Sequence, residues 1–460
     1  MKHSILSLAA ALALSGCATR GAMNFECTGL ADFVHPLPTS QLIKDIQQDA
    51  VQGAGPGGIS VNMLPPVNPV EAATDDPMQR SMEALPHSIG FTENGTSGGA
   101  PAGGVRSVLL LSGGGQWGAF GAGFLDRLNE RSGGSATDFG VVTGVSTGAV
   151  QALFVAVNDR DAYASLVRAY KPEKESEVVD RHRFKALAAI TGAMAGLSPL
   201  RKRIEEALCD AGDPARGCRP IERLANSGSE VFVGMVEART GAFVYADITK
   251  IAKAGSGPDT SLKDRRNALS CLTGITMASA AMPVFYQQVK INGSTYFDGG
   301  VRNSVFEAGV ATALERAVAN AKATTGPDAP VPLLFVLRNG PTQLLGPGGV
   351  PKPDADANRT LSALDAALRA ESIVVNELEV GSIAALRLAH PQGKIFLATA
   401  DGFQNWKFPA GPVGCTKPED VMFDPSFMRC LIELGHLKAD RKEPWILLKE
   451  LKQQDIHFNP

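Results

Sequence analysis

An α/β fold with a largely parallel central sheet flanked by helices is what this sequence predicts, on three observations. From residue 105 onward, short apolar runs with strand character alternate with helical patterns. Two of those runs end in glycine-rich junctions that lead directly into a helical pattern, Gly113-Gly114-Gly115 and Gly144-Val145-Ser146-Thr147-Gly148. A chain of 460 residues with 44% hydrophobic content can also bury a large core.

The elements follow in order. Val105 to Leu111 reads as the first strand because its apolar run stops at the triple glycine, and a helix follows from about Ala119 to Glu130. Phe139 to Val145 is the second strand, with its helix over Thr147 to Val157. Further strand-like runs are Glu230 to Val236, Val284 to Ile291, Val331 to Leu337 and Lys394 to Thr399. Leu187 to Leu200, LAAITGAMAGLSPL, is apolar but too short to span a bilayer. A core helix is expected there, with a lipid-facing cap over an active site as the other reading. Between Ala18 and Gly104, Pro and Gly cluster in GAGPGG, MLPPVNP and NGTSGGAPAGG. Residues 17–104 are therefore expected to form a tether with a few docked segments, ahead of an ordered domain over residues 105–460.

The amino terminus, MKHSILSLAAALALSGCATR, has a basic start, an apolar run from Ile5 to Leu14 and then Leu14-Ser15-Gly16-Cys17. This is the layout of a secretory signal over residues 1–16 rather than of a retained membrane span. Leu-Ser-Gly-Cys resembles the lipobox of bacterial lipoproteins, which implies cleavage before Cys17 and lipidation there. Acyl chains at about 0.8 kcal/mol per buried methylene would hold the chain on a bilayer. Ala18 stands where Asp would signal inner-membrane retention, so the expected location is the outer membrane of a bacterial envelope.

The charges exclude one class of partner. With 44 basic residues against 47 acidic ones and no long run of either sign, no electrostatic grip on nucleic acid is expected. Beyond Cys17, six cysteines remain, an even number that suits disulfides in an oxidising compartment. Short loops favour Cys209 with Cys218 and Cys415 with Cys430, leaving Cys27 with Cys271, although Cys271 also reads as a small buried residue in an apolar segment. No cysteine or histidine spacing points to a metal site.

Gly113-Gly114-Gly115-Gln116-Trp117-Gly118 also fits a dinucleotide fingerprint after a strand and before a helix. That fingerprint wants an acid ending the second strand, and Asp138 instead precedes it; no Gly-Lys-Ser/Thr follows to make a phosphate-binding Walker loop. The second junction supplies a different chemistry. Gly144-x-Ser146-x-Gly148 at a strand-to-helix turn is the pattern of a nucleophile elbow, where small neighbours accommodate a strained serine; a serine helix cap is the simpler alternative. A third element, Asp298-Gly299-Gly300, is a carboxylate with two glycines that let backbone crowd around it.

Taken together and in this order, Gly-Gly-Gly-x-x-Gly, Gly-x-Ser-x-Gly and Asp-Gly-Gly resemble the patatin-like phospholipase family. The likeness extends to Ala-Ser-Ala-Ala-x-Pro at Ala278 to Pro283, to the Asn-Gly turn before the Asp, and to FDPSFMRCLIELGHLKAD near the carboxyl end. It implies a three-layer patatin-like sandwich and a lipid acyl hydrolase, a phospholipase A or lysophospholipase, working on membrane phospholipid or another acyl lipid without a cofactor or metal. Ser146 would attack the ester, Asp298 would take its proton, and the Gly113 to Gly115 amides would face the oxyanion. For a carboxylate to serve as base to a hydroxyl, burial must raise its pKa toward neutrality. The sequence departs from the family at Trp117, which replaces a usual Arg or Lys and reads equally as an indole at a lipid interface or as core packing. It also has Val301-Arg302-Asn303-Ser304-Val305 without the usual Pro. Two alternatives stand beside this reading: an esterase with a Ser146, Asp298, His390 triad, and a non-catalytic envelope lipoprotein that binds lipid or a protein.

Overall fold

The computed structural model describes residues 21–37, 76–85, 107–181, 193–327, 331–343, 363–390, 393–408, 413–417 and 421–449. Two short strands come first, β1 (Met23–Phe25) and β2 (Val34–Pro36). They are followed by helix α1 (Pro77–Ala84), whose Asp76 side chain caps the Met78 and Gln79 amides. β3 (Ser107–Leu111) runs through the glycine loop into α2 (Gly118–Ser132), and β4 (Phe139–Val145) runs through Ser146 into α3 (Thr147–Val155). Both strand-to-helix units lie where the sequence predicts them.

Beyond α3 lie β5 (Asp180–Arg181), β6 (Ala193–Gly196), α4 (Ser198–Leu208), β7 (Glu230–Glu237), β8 (Phe243–Asp247) and α5 (Leu262–Ser279). Three short strands follow, β9 (Val284–Tyr286), β10 (Val289–Ile291) and β11 (Ser294–Asp298). The last elements are α6 (Glu307–Thr325), β12 (Leu334–Arg338), α7 (Ala363–Ala389), β13 (Ile395–Thr399), α8 (Pro425–Ala439) and β14 (Ile446–Leu447).

The centre of the main sheet is parallel, in the order β7-β4-β3-β12-β13, and antiparallel β8, β11 and β14 extend it. Every residue of β3, β4 and β12 is buried, as strands covered on both faces must be. Leu109 and Leu111 join a core that contains Phe120, Phe124 and Leu125 of α2, Leu153 of α3 and Phe427 and Leu431 of α8. Val108 and Leu110 point the other way, into a core with Met78 and Met82 of α1, Leu314 of α6 and Leu386 of α7. The result is a three-layer α/β sandwich. From β3 the chain proceeds to β4 and β7 on one side and later to β12 and β13 on the other, so the order reverses beside β3. A crevice at the carboxyl ends of the strands is expected at such a point.

Two expectations are corrected. The run Val284 to Ile291 is not one strand: β9 pairs with β6 in a separate three-stranded sheet, while β10 pairs with β1 and β11 in the main sheet. Val284 adopts φ +71°, a left-handed conformation rare for a β-branched residue, and the chain changes direction there. In LAAITGAMAGLSPL the described part is not a core helix, since Ala193–Gly196 is strand β6 and a helix begins only at Ser198, where Pro199 occupies the first turn. Leu187 to Gly192 lie outside the described residues, as does Cys17.

Segments ahead of Val105 dock on the main sheet. β1 pairs in parallel with β10, and β2 pairs with β8. The three disulfides are Cys27–Cys271, Cys209–Cys218 and Cys415–Cys430, and the first ties the β1 segment to α5. Among the described residues no helix is long and apolar enough to cross a membrane, and no group of three or more His, Cys, Asp or Glu could hold a metal ion.

Candidate active site

The turn after β4 forces Ser146 into φ 55°, ψ −121°, a conformation strained for any residue with a side chain. The chain can turn this tightly because of its glycines: a Cβ on Gly144 would strike the Gly148 carbonyl, and one on Gly148 would strike the Leu111 carbonyl at the end of β3. The Ser146 amide donates to Ser279 Oγ at 2.9 Å, and Ser279 Oγ donates to the Gly234 carbonyl at 2.6 Å. The last residue of α5 thereby pins the elbow to β7.

Asp298 closes β11, next to Met235 of β7, and is 1% exposed. Its carboxylate accepts a hydrogen bond from the Gly300 amide at 2.7 Å, and the Ser146 side chain lies close enough to favour its charged form. Burial pushes its pKa up to about 7, although the Ser146 side chain and the Gly300 amide favour the charged form; Glu371 and Glu379 of α7 add to the rise. Glu371 is itself raised to about 7, chiefly by burial.

The glycine loop lies beside the elbow. A Cβ on Gly113 would stand 3.4 Å from Ser146 Cβ, and Gly115 lines the same cavity as Ser146. The Gly113 amide is already used, donating to the Ser304 carbonyl at 3.2 Å. Gly114 and Gly115 make no amide hydrogen bond among the described residues, which leaves their N–H groups for an oxyanion. Gly114 takes φ 139°, and a Cβ there would fall on the Asn339 carbonyl, so no other residue fits the position. Beneath the loop, Asn339 Nδ2 donates to the Ser112 carbonyl at 2.8 Å and to Gln151 Oε1 at 2.9 Å, and Gln151 Nε2 donates to the Gly118 carbonyl at 2.8 Å. This buried amide pair holds the end of β12, the loop and α3 together.

An apolar cavity opens from Ser146, with about 780 Å³ of empty space including its mouth. Val150, Leu153 and Phe154 of α3, Leu200, Ile204 and Leu208 around α4, and Tyr286, Phe423 and Met428 form its walls. It suits an acyl chain far better than a polar or charged group.

Trp117 is partly buried and packs against the core, with its ring edge-on to Phe403 at 4.8 Å and to Phe427 at 5.0 Å. His390 sits at the end of α7 beside Arg387 and Glu315, and it neither lines the cavity nor acts on Asp298. Sequence reasoning brought together Ser146, Asp298 and the glycines, but missed Ser279, Ser304, Asn339 and Glu379. Ser279 lies inside the Ala278 to Pro283 stretch already singled out, so a signal existed for it. Ser304 likewise lies inside the Val301 to Val305 stretch already quoted, whereas Asn339 and Glu379 carry no local pattern.

The fold and site define a three-layer α/β domain with a serine on a strained strand-to-helix turn and a buried carboxylate beside it. Residues 109–311 match the sequence model of the patatin-like phospholipase family, and over this span the chain carries a patatin-like phospholipase domain, a lipid hydrolase by family. Among solved structures, the crystal structure of VipD from Legionella pneumophila is similar at 12% identity and a TM-score of 0.34, covering 76% of this chain and 68% of that one. No curated protein matches the chain.

Proposed function

We propose that this chain hydrolyses acyl esters of membrane phospholipids, as a phospholipase A or lysophospholipase, through a Ser146–Asp298 dyad and an acyl-enzyme. The observation that carries this reading is the buried Asp298 carboxyl, raised to about 7 beside Ser146 on its strained turn. Ser146 Oγ attacks the ester carbonyl as its proton passes to Asp298. The tetrahedral oxyanion forms against the Gly114 and Gly115 amides, with the start of α2 behind them. Collapse returns the proton to the departing alcohol and leaves the acyl group on Ser146, its chain in the apolar cavity. Asp298 then takes a proton from water, which attacks the acyl-enzyme; the acyl–Oγ bond breaks, Asp298 returns that proton to Ser146 Oγ and the fatty acid leaves.

In the same proposal Cys17 is lipidated and holds the chain on the outer membrane of a bacterial envelope. Three disulfides support an oxidising compartment. The test is ester release by the chain lacking residues up to Cys17, on a short chromogenic ester and on phospholipid micelles. Ser146→Ala and Asp298→Asn should each lose turnover by more than about 10³-fold, and His390→Ala should keep it. Turnover that survives Ser146→Ala, or is lost on His390→Ala, overturns the dyad.

A further inference from the structure

Three elements distant in sequence converge on the back of the glycine loop. Arg338, the last residue of β12, pairs its Nη2 with Glu379 Oε2 of α7 at 3.0 Å, and the two side chains are 3% and 6% exposed. The same Nη2 donates to Asn376 Oδ1, one turn earlier on α7, at 2.9 Å. The other oxygen of Glu379 accepts from Ser304 Oγ at 2.5 Å. Ser304 in turn accepts the Gly113 amide on its carbonyl at 3.2 Å, and a Cβ on Gly113 would come within 2.8 Å of Ser304 Oγ and 3.8 Å of Glu379 Oε1. Ser304 belongs to the turn that begins at Asp298, closed by amides of Arg302 and Asn303 donating to the Gly299 carbonyl at 3.0 and 2.8 Å.

Ser304 is therefore the hinge between the two halves of the site, with the carboxylate turn on one side and the oxyanion loop on the other. A buried ion pair is weak evidence for stability, because desolvation offsets most of its attraction. Its geometric consequence is firmer. A carboxylate held by a guanidinium has a fixed position, and a hydroxyl bonded to that carboxylate is fixed with it. We propose that Glu379, oriented by Arg338, is a positioning residue for the hydrolysis: it holds Ser304 so that Gly113 and the amides after it stay in register with Ser146 and Asp298.

This inference rests on the dyad reading, and the experiment separates the two. Steady-state kinetics on a soluble ester are measured for the parent, Ser146→Ala, Ser304→Ala, Glu379→Gln and the Ser304→Ala/Glu379→Gln double variant. Ser304→Ala leaves the Arg338–Glu379 pair in place, so it keeps the test decisive if Glu379→Gln does not fold. Displaced oxyanion donors lower kcat by about 10- to 100-fold with KM within about twofold of the parent. The double variant should be no slower than the slower single variant, because both changes break one contact. A Ser304→Ala enzyme with kcat within twofold of the parent overturns the inference, as do losses that multiply in the double variant or that appear in KM alone. Full turnover by Ser146→Ala removes the dyad and the inference together. An inactive Ser146→Ala beside a normal Ser304→Ala removes the inference alone.

Discussion

Ser146 sits beside the carboxylate of Asp298 and favours its charged form, yet burial lifts that group, 1% exposed, to a pKa of about 7. The same burial that prepares the base makes it a liability for folding. An unfolded Asp ionises near ~4, so between that pH and about 7 the folded chain holds a proton that the unfolded chain has released. Stability then falls as pH rises through this window, with no cost below it and the full cost above it. Asp298→Asn should be inactive yet melt a few degrees higher than the parent at pH 8, with the gap closing toward pH 4. Thermal melts across that range check the sign, and a variant that melts lower at pH 8 contradicts it.

Turnover carries the same signature. The base must be ionised, so kcat/KM should rise with pH through an apparent midpoint near 7. Glu371, also raised to about 7, shares that titration. Glu371→Gln removes a negative charge that raises Asp298, and should move the midpoint to lower pH. A pH–rate profile of parent and variant decides it.

Chain-length preference should reside in the cavity behind Ser146. Val150 is a buried wall residue one turn into α3, and Val150→Phe places a ring where an acyl chain would run. We expect hydrolysis of long-chain esters to fall by more than about 10-fold while acetyl ester hydrolysis stays within about twofold, since a short acyl group does not reach the ring. Equal losses on both substrates would mean that the cavity does not hold the chain.

The ring of Trp117 packs edge-on against both Phe403 and Phe427. Trp117→Arg should therefore destabilise the fold, by about 2–4 kcal/mol, rather than retune head-group preference. Urea unfolding with unchanged relative rates on anionic and zwitterionic lipids is the expected result.

The disulfide Cys27–Cys271 closes a loop of 244 residues and fastens β1 to the sheet edge. Chain-entropy arguments set about 5 kcal/mol as its upper contribution. Replacing both cysteines with serine should lower stability by about 2–5 kcal/mol, read as a lower urea midpoint, while leaving the distant Ser146 site active in the folded fraction.

The amino-acid sequence by itself pointed to the two strand-to-helix units, the elbow serine, the Asp-Gly-Gly carboxylate and the two short-loop cysteine pairs, while Cys27–Cys271 needed the tertiary structure. Each of the former depends on local constraints: apolar periodicity, glycines demanded by steric crowding, and short loops between cysteines. Tertiary structure alone decided that Gly113 gives its amide to Ser304, that Ser279 caps the Ser146 amide across 133 residues, and that Glu379 reaches Ser304 across 75. It also made Ala193–Gly196 a strand, because β9 offers it a partner that helical periodicity cannot register. A polar side chain in a long helix reads the same whether it faces water or a buried arginine, and only packing distinguishes the two.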